Sequence, residues 1–107
     1  MKIAIIYTTV GGTTKECAEL LKAELNNHSV ELFEIGVREP VIEDFDAVVL
    51  GFPIIMGRAY KPARVYLKNH KNELKNAKCA YYICCGFIDC FEEFSEKCRF
   101  RYFYFCY

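Results

Sequence analysis

The strongest candidate for chemistry is segment 7–14, in which hydroxyl and glycine residues follow an apolar run and precede a helical pattern. Backbone N–H groups at the start of a helix favour a phosphate group. Gly11 and Gly12 let the backbone approach a ligand and adopt positive φ. The loop threonines, which can donate hydroxyl hydrogen bonds without adding positive charge, are Thr8, Thr9, Thr13 and Thr14. The pattern indicates a phosphate-binding loop, and a plain strand-to-helix turn with threonine as N-cap fits the spacing equally well.

Other common binding motifs are missing from the sequence. It contains neither the G-x-x-x-x-G-K-[ST] nucleotide loop nor the G-x-G-x-x-G dinucleotide fingerprint. The seven cysteines include no C-x-x-C pair, and neither His28 nor His70 lies at a zinc-motif distance from them. We therefore expect thiols rather than a metal site. Adjacent Cys84 and Cys85 do not suit a disulfide with each other.

Composition narrows the class of protein. The 107 residues suffice for a single domain, and 53% hydrophobic with 26% charged residues is typical of a globular chain. The 14 basic and 14 acidic side chains cancel, which argues against nucleic-acid binding. No apolar run is long enough to span a membrane. The N-terminal run ends at Thr8 without a signal-peptide cleavage pattern, so we expect a cytoplasmic location.

Four segments have the pattern of strands. Ile3–Tyr7 and Ala47–Gly51 are short apolar runs typical of strands buried on both faces. Val30–Ile35 partly alternates and carries two acids, which suits an edge strand. Cys79–Cys84 is the fourth strand and is closed by Gly86.

Two segments between these strands have helical spacing. Apolar residues recur from Cys17 to Leu25 and again from Ala63 to Leu74, and Pro62 suits the first turn of the second helix. His70 lies on the second stripe, and we interpret it as a packing residue rather than a catalytic one. The order β-α-β-β-α-β predicts an open α/β sheet with right-handed crossovers. In such a sheet, ligands bind beyond the carboxyl ends of the strands.

At this point the chain resembles the flavodoxin-domain family. The first strand, the loop 9–14 and the helix Lys15–Leu25 resemble the FMN phosphate loop of flavodoxins. The segment 51–62, Gly-Phe-Pro-Ile-Ile-Met-Gly-Arg-Ala-Tyr-Lys-Pro, is similar to the second flavin loop of one subgroup, the proteins related to menaquinone-dependent protoporphyrinogen oxidase. In that subgroup the second loop leads into a helix and then into a strand that is similar to residues 81–87 of this chain. The similarity covers residues 1–97.

The resemblance implies an FMN bound without a covalent bond, and a redox function in electron transfer or as an oxidoreductase. The first loop would hold the phosphate through Thr8, Thr9, Gly11, Gly12, Thr13 and Thr14. The second loop would lie against the isoalloxazine ring through Pro53, Ile54, Ile55, Met56 and Gly57, joined by Tyr60 unless that residue only packs at the helix entry. The third loop would contribute Cys85, Gly86 and Phe87. The flavin carries the redox chemistry, so we expect no catalytic acid, base or nucleophile. The partner would be a redox protein, a quinone or a small-molecule substrate.

The C-terminal residues 98–107 depart from the family pattern. In this chain they form a dense aromatic run. At the same point, members of the family continue with a fifth strand, a long loop and a closing helix. Four strands in the flavodoxin-like order 2-1-3-4, with helices on both faces, would leave Cys79–Cys84 at an open edge, which favours self-association. Either residues 89–97 form a short crossover helix and the tail pairs as a fifth strand, or a frameshift near Lys97 truncated the domain. A cofactor-free remnant or interaction module is therefore the alternative function.

Overall fold

Six strands and three α-helices make up the part of the chain that the computed structural model describes, which comprises residues 1–55, 57–85 and 105–106. A 3₁₀ helix, Ile42–Asp44, precedes the third strand. The strands are β1 (Lys2–Tyr7), β2 (Ser29–Glu34), β3 (Ala47–Ile55), β4 (Arg58–Ala59), β5 (Lys78–Cys85) and β6 (Phe105–Cys106). The helices are α1 (Thr13–Glu24), α2 (Lys61–Asn69) and α3 (Lys71–Lys75).

Five of the strands form one parallel sheet in the order β2-β1-β3-β5-β6. The central register pairs Tyr7 of β1 with Gly51 of β3, and Gly51 with Tyr82 of β5. The short β4 is antiparallel and pairs only with the end of β3. Apart from this hairpin, the four main strands have the predicted flavodoxin-like order 2-1-3-4, and β2 lies at the predicted edge.

The helices cover both faces of this sheet. On one face, α1 packs through Cys17 and Ala18 against side chains of β1, β3 and β5. On the other face, Ala63 and Tyr66 of α2 and Leu74 of α3 pack against the opposite side chains of the same strands. The strands can be apolar throughout because both faces are covered. This arrangement confirms the predicted α/β fold class.

Two element boundaries differ from the sequence-based expectation. The strand predicted to end at Gly51 continues to Ile55, because its last two residues pair with β4 after a tight reversal. The helix predicted as one stripe is divided at His70, which ends α2 and precedes α3. The His70 ring lies 4.2 Å from the Tyr66 ring, between centroids, so it does pack as predicted.

A fifth parallel strand is present at the far edge. Phe105 and Cys106 pair with Cys84 and Cys85 of β5. Of the two alternatives for the tail, this agrees with the one in which it pairs as a fifth strand. The short crossover helix predicted for 89–97 lies outside the described residues, and the frameshift stays a prediction.

Candidate functional site

The candidate site lies where three strands end at the same edge of the sheet. The chain leaves β1 toward β2 on one side and leaves β3 toward β5 on the other, so the strand order reverses between β1 and β3. Ligands of open α/β sheets bind at such a reversal, beyond the carboxyl ends of the strands. The parallel register brings the residues after Tyr7, Gly51 and Tyr82 to this point. The first and second predicted loops therefore begin next to each other at this edge of the sheet.

The first loop is closed by two hydrogen bonds. The Thr8 N–H donates to the Gly51 carbonyl oxygen at 3.0 Å, which continues the sheet pairing by one residue. The Gly12 N–H donates to the Thr9 hydroxyl oxygen at 3.0 Å. Gly12 has a φ of 94°, a left-handed conformation that favours glycine. These contacts turn the chain sharply from the end of β1 into α1.

Helix α1 directs its N-terminus into this loop. Gly12 is the N-cap residue, and no side chain caps the helix. The N–H groups of Thr13 and Thr14 have no acceptor within the helix, because the first turn lacks the preceding carbonyls. Together with the helix dipole they make a site for an anion. Gly11 is exposed, and no atom lies within 4 Å of a Cβ built on Gly11 or Gly12, so a phosphate has room to approach.

Burial separates the loop threonines into two groups. Thr8 and Thr14 are buried, with 5% and 1% of their surface exposed. Thr9 and Thr13 are half-buried and stand closer to solvent. Among the predicted phosphate residues, a ligand from solvent therefore meets Thr9, Thr13 and the two glycines first.

A buried tyrosine connects this helix to the sheet, and the sequence analysis did not single it out. The Tyr82 hydroxyl on β5 donates a hydrogen bond to the Thr14 carbonyl oxygen at 2.8 Å. The Tyr82 ring crosses over Gly51, and a Cβ at Gly51 would lie 1.9 Å from the ring. Burial raises the pKa of Tyr82, and the neighbouring Cys84, Cys17 and Tyr7 add to the increase, so the hydroxyl stays protonated as a donor. Only the missing side chain of Gly51 allows this contact.

The second loop is a tight hairpin rather than an irregular segment. Ile54 pairs with Ala59 and Ile55 with Arg58, and the turn between them contains Gly57 with a φ of 77°. The Tyr60 N–H then donates to the Pro53 carbonyl oxygen at 3.0 Å. The hairpin extends beyond the end of the sheet, and Ile55 is 40% exposed at its tip.

Tyr60 lies at the junction of this hairpin with α2. It is the N-cap residue, and its carbonyl oxygen accepts hydrogen bonds from the N–H groups of Ala63 and Arg64. Its side chain is half-buried. The backbone role at the helix entry is clear, and contact with a flavin ring stays a prediction. Met56, Gly86 and Phe87 lie outside the described residues, and of Cys85 the structure describes only its pairing in β5.

The described residues offer no obvious catalytic acid or base at this edge. Burial raises the pKa of Tyr7, and the carboxylates of Glu34 and Glu19 raise it further. No group of three or more histidine, cysteine, aspartate or glutamate residues in the described segments is arranged to hold a metal ion. Within the same segments, no helix has the length and apolar character needed to cross a membrane. The described part of this edge has the features of an anion site.

A cluster on the α2 face was also missed by sequence analysis. Tyr66 is 3% exposed, and its hydroxyl has no hydrogen-bond partner among the described residues. The adjacent His70 Nδ1 lies 2.7 Å from a Glu73 carboxylate oxygen, and its Nε2 lies 3.8 Å from one of Glu39. Burial raises the pKa of Tyr66 to about 12, with contributions from both carboxylates. Helical spacing identified Tyr66 and His70 as packing residues but not the acids that surround them.

Comparisons with known proteins agree with this architecture. Residues 4–97 match the family model described as the flavodoxin domain. Protoporphyrinogen IX dehydrogenase (quinone) of Escherichia coli strain K12 is 31% identical over 85 residues, which make up 77% of this chain and 47% of that protein. The chain thus spans about half the length of the curated relatives it matches.

Solved structures share the fold at low sequence identity. A flavodoxin from the domain Archaea superposes with a TM-score of 0.73 at 15% identity, over 100% of this chain and 84% of that one. A Fusobacterium nucleatum flavodoxin bound to flavin mononucleotide superposes with a TM-score of 0.70 at 17% identity, over 95% and 68% of the two chains.

Proposed function

Because the chain belongs to the flavodoxin domain family, we propose that it binds FMN without a covalent bond and serves as a redox protein. The observation that carries this proposal is the loop at the reversal of strand order, where the Thr9 hydroxyl accepts the Gly12 N–H at 3.0 Å and α1 begins at Thr13. The Fusobacterium flavodoxin that shares the fold is described as bound to flavin mononucleotide.

The residues present fit an FMN phosphate. First-turn N–H groups supply hydrogen-bond donors, and the space above Gly11 and Gly12 is open. Thr9 and Thr13 are half-buried, and their hydroxyls would add hydrogen bonds. The hairpin 53–60, which forms the second loop, would lie beside the isoalloxazine ring of FMN. Gly57 shapes its turn, and Ile55 offers apolar surface.

In this proposal the chain's residues bind and orient, and the flavin supplies the transfer of one or two electrons. The phosphate loop fixes the position of the cofactor. The apolar hairpin excludes water from one side of the ring. Tyr82 holds the first turn of α1 against β5, so the N–H donors are already in place before FMN arrives.

The test uses two glycines that have the same backbone strain but different positions. Gly12 and Gly36 have φ values of 94° and 86°, and neither has an atom within 4 Å of a built Cβ. Replacing either with alanine strains a left-handed residue by about 1–2 kcal/mol. Relief of this strain in Gly12→Ala moves the first-turn N–H groups of α1 away from the phosphate position, so FMN binding should weaken by roughly tenfold, since 1.4 kcal/mol corresponds to tenfold. In Gly36→Ala the same strain is relieved in a turn outside the phosphate loop, so this variant should bind FMN as the wild type does. Binding is followed by quenching of FMN fluorescence.

Three results are informative. Wild-type protein that elutes with flavin absorbance, or takes up added FMN, supports the proposal. Folded protein that stays colourless with excess FMN refutes it and favours the cofactor-free scaffold. Equal losses in Gly12→Ala and Gly36→Ala would show that the loop does not bind the phosphate.

The name of a relative indicates the class of electron partner. The E. coli relative is named protoporphyrinogen IX dehydrogenase (quinone). We propose that this chain likewise passes electrons to a quinone, a redox protein or a small molecule. Reduced, FMN-loaded protein should be reoxidised anaerobically by a soluble p-quinone faster than free FMNH₂ is. An equal rate would argue against a quinone.

A further inference from the structure

Two cysteines that are distant in sequence meet beneath the candidate site. Cys17 lies on α1 and Cys84 near the end of β5, and their Sγ atoms are 3.9 Å apart. Both are thiols, with 3% and 9% of their surface exposed. The Cys84 S–H donates to the Cys17 sulfur. We propose that Cys17 and Cys84 form an oxidation site, at which a peroxide converts the two thiols into a disulfide that ties α1 to β5.

The surrounding contacts hold the two thiols in position. Three residues before Cys17, the Thr14 carbonyl accepts the Tyr82 hydroxyl, and Tyr82 is two residues before Cys84. Residues three apart share a helix face, and residues two apart share a strand face. The hydrogen bond and the thiol pair are therefore two links across one helix–sheet interface. A modest approach of the two sulfurs forms the bond, and a normal S–S bond is about 2.05 Å long.

The reaction balances with hydrogen peroxide as the oxidant. One thiolate attacks a peroxide oxygen, which gives a sulfenic acid and releases water after protonation. The second thiol attacks that sulfur, forms the S–S bond and releases a second water. Two thiols and one peroxide give one disulfide and two waters. The low exposure of both sulfurs limits the rate, so larger oxidants should react more slowly than peroxide.

Cys79 serves as an internal control. Cys79 lies on the same strand, but its Sγ contacts the Leu74 carbonyl oxygen at 3.2 Å, and burial raises the pKa of its thiol. Cys79→Ser should therefore not prevent the disulfide. Cys84→Ser and Cys17→Ser should each abolish it.

The experiment treats folded wild-type protein with hydrogen peroxide, blocks the remaining thiols with N-ethylmaleimide and maps tryptic peptides without reduction. Peptide 16–22 should be linked to peptide 79–97 with a loss of two hydrogens, and fragmentation should place the link at Cys84. The bond closes a span of 67 residues. It should raise the thermal midpoint by roughly 10 °C, because it restricts the unfolded chain.

A link from Cys17 to another cysteine, or the same link in the Cys84→Ser variant, would overturn the proposal. The proposal would also be overturned if, after peroxide treatment of the folded protein, N-ethylmaleimide still alkylated both Cys17 and Cys84 completely. A lower thermal midpoint in the linked form would show that native packing does not place the sulfurs for bonding. Each readout uses protein without FMN, so failure of the proposed function would not imitate failure here.

Discussion

The contact between Gly51 and Tyr82 gives the sharpest test of how the site is built. A Cβ at Gly51 would lie 1.9 Å from Tyr82 Cζ and 2.3 Å from the hydroxyl oxygen. Tyr82 is 1% exposed, so the ring has no solvent to move into. Gly51→Ala must therefore displace the ring and break the 2.8 Å hydrogen bond to the Thr14 carbonyl. We expect a loss of stability and a less ordered start of α1.

The size of this loss follows from two contributions. Overpacking a buried site costs about 1–3 kcal/mol, and a lost hydrogen bond costs about 1 kcal/mol. Gly51→Ala should thus lower the free energy of unfolding by roughly 2–4 kcal/mol. Without the clash, the effect of Gly51→Ala on the free energy of unfolding should change sign, because alanine in a strand interior is favoured over glycine by about 0.5–1 kcal/mol. In the background Tyr82→Leu, which lacks the end of the ring, Gly51→Ala should therefore be neutral or stabilising.

Urea unfolding followed by circular dichroism measures all four variants of this double-mutant cycle. The two substitutions should be strongly non-additive, since contacting residues couple by about 0.5–3 kcal/mol. Tyr82→Phe keeps the ring, so it should cost only about 1 kcal/mol and leave most of the Gly51→Ala penalty in place. Gly11→Ala, with open space and ordinary φ, is the matched control and should not destabilise the fold. Additive effects of Gly51→Ala and Tyr82→Leu would refute the reasoning.

Two further variants test the loop and the α2 face. Thr9→Val keeps the shape but removes the acceptor of the Gly12 N–H, so FMN affinity should fall about 5- to 10-fold, and unchanged affinity in a fluorescence titration would contradict this role. The pKa of Tyr66, raised from 10.0 to about 12, means that its stabilising contribution is complete below pH 10 and disappears as the pH rises through 12. Tyr66→Phe should match the wild type in urea midpoint at pH 7 and lose less stability between pH 10 and 12, whereas parallel alkaline curves would argue against this.

The sequence was sufficient for the fold because the signals were local. Apolar runs such as Ile3–Tyr7 mark strands covered on both faces, and 3.6-residue spacing marks the helices between them. Strand order then follows from short connections and right-handed crossovers. The site's location follows from the order, since the first and second loops both begin at the carboxyl ends of β1 and β3. Gly12 could be assigned to the phosphate loop from the sequence because it is a glycine at the turn from a strand into a helix.

The second loop was harder because its conformation depends on pairing. Segment 52–60 contains Gly57 and Pro53, residues that usually interrupt a strand. A periodicity argument therefore ends the strand at Gly51. The structure instead pairs Ile54 with Ala59 and Ile55 with Arg58. Glycine there makes the turn of a hairpin, and the sequence alone does not distinguish a turn from an irregular loop of equal length.

The contacts that fix the site were beyond prediction for a different reason. Face assignments were available from the sequence: Thr14 and Cys17 share one face of α1, and Tyr82 and Cys84 share one face of β5. Nothing local shows that these two faces meet, because the paired residues are 68 and 67 positions apart. The sequence does not show where along the sheet α1 lies relative to β5. In the structure, the space at Gly51 lets the Tyr82 ring reach the Thr14 carbonyl oxygen. The same helix–sheet interface holds the Cys17 and Cys84 sulfurs 3.9 Å apart. The Tyr82–Thr14 hydrogen bond, which Gly51 permits, and the thiol pair therefore depend on one placement of α1.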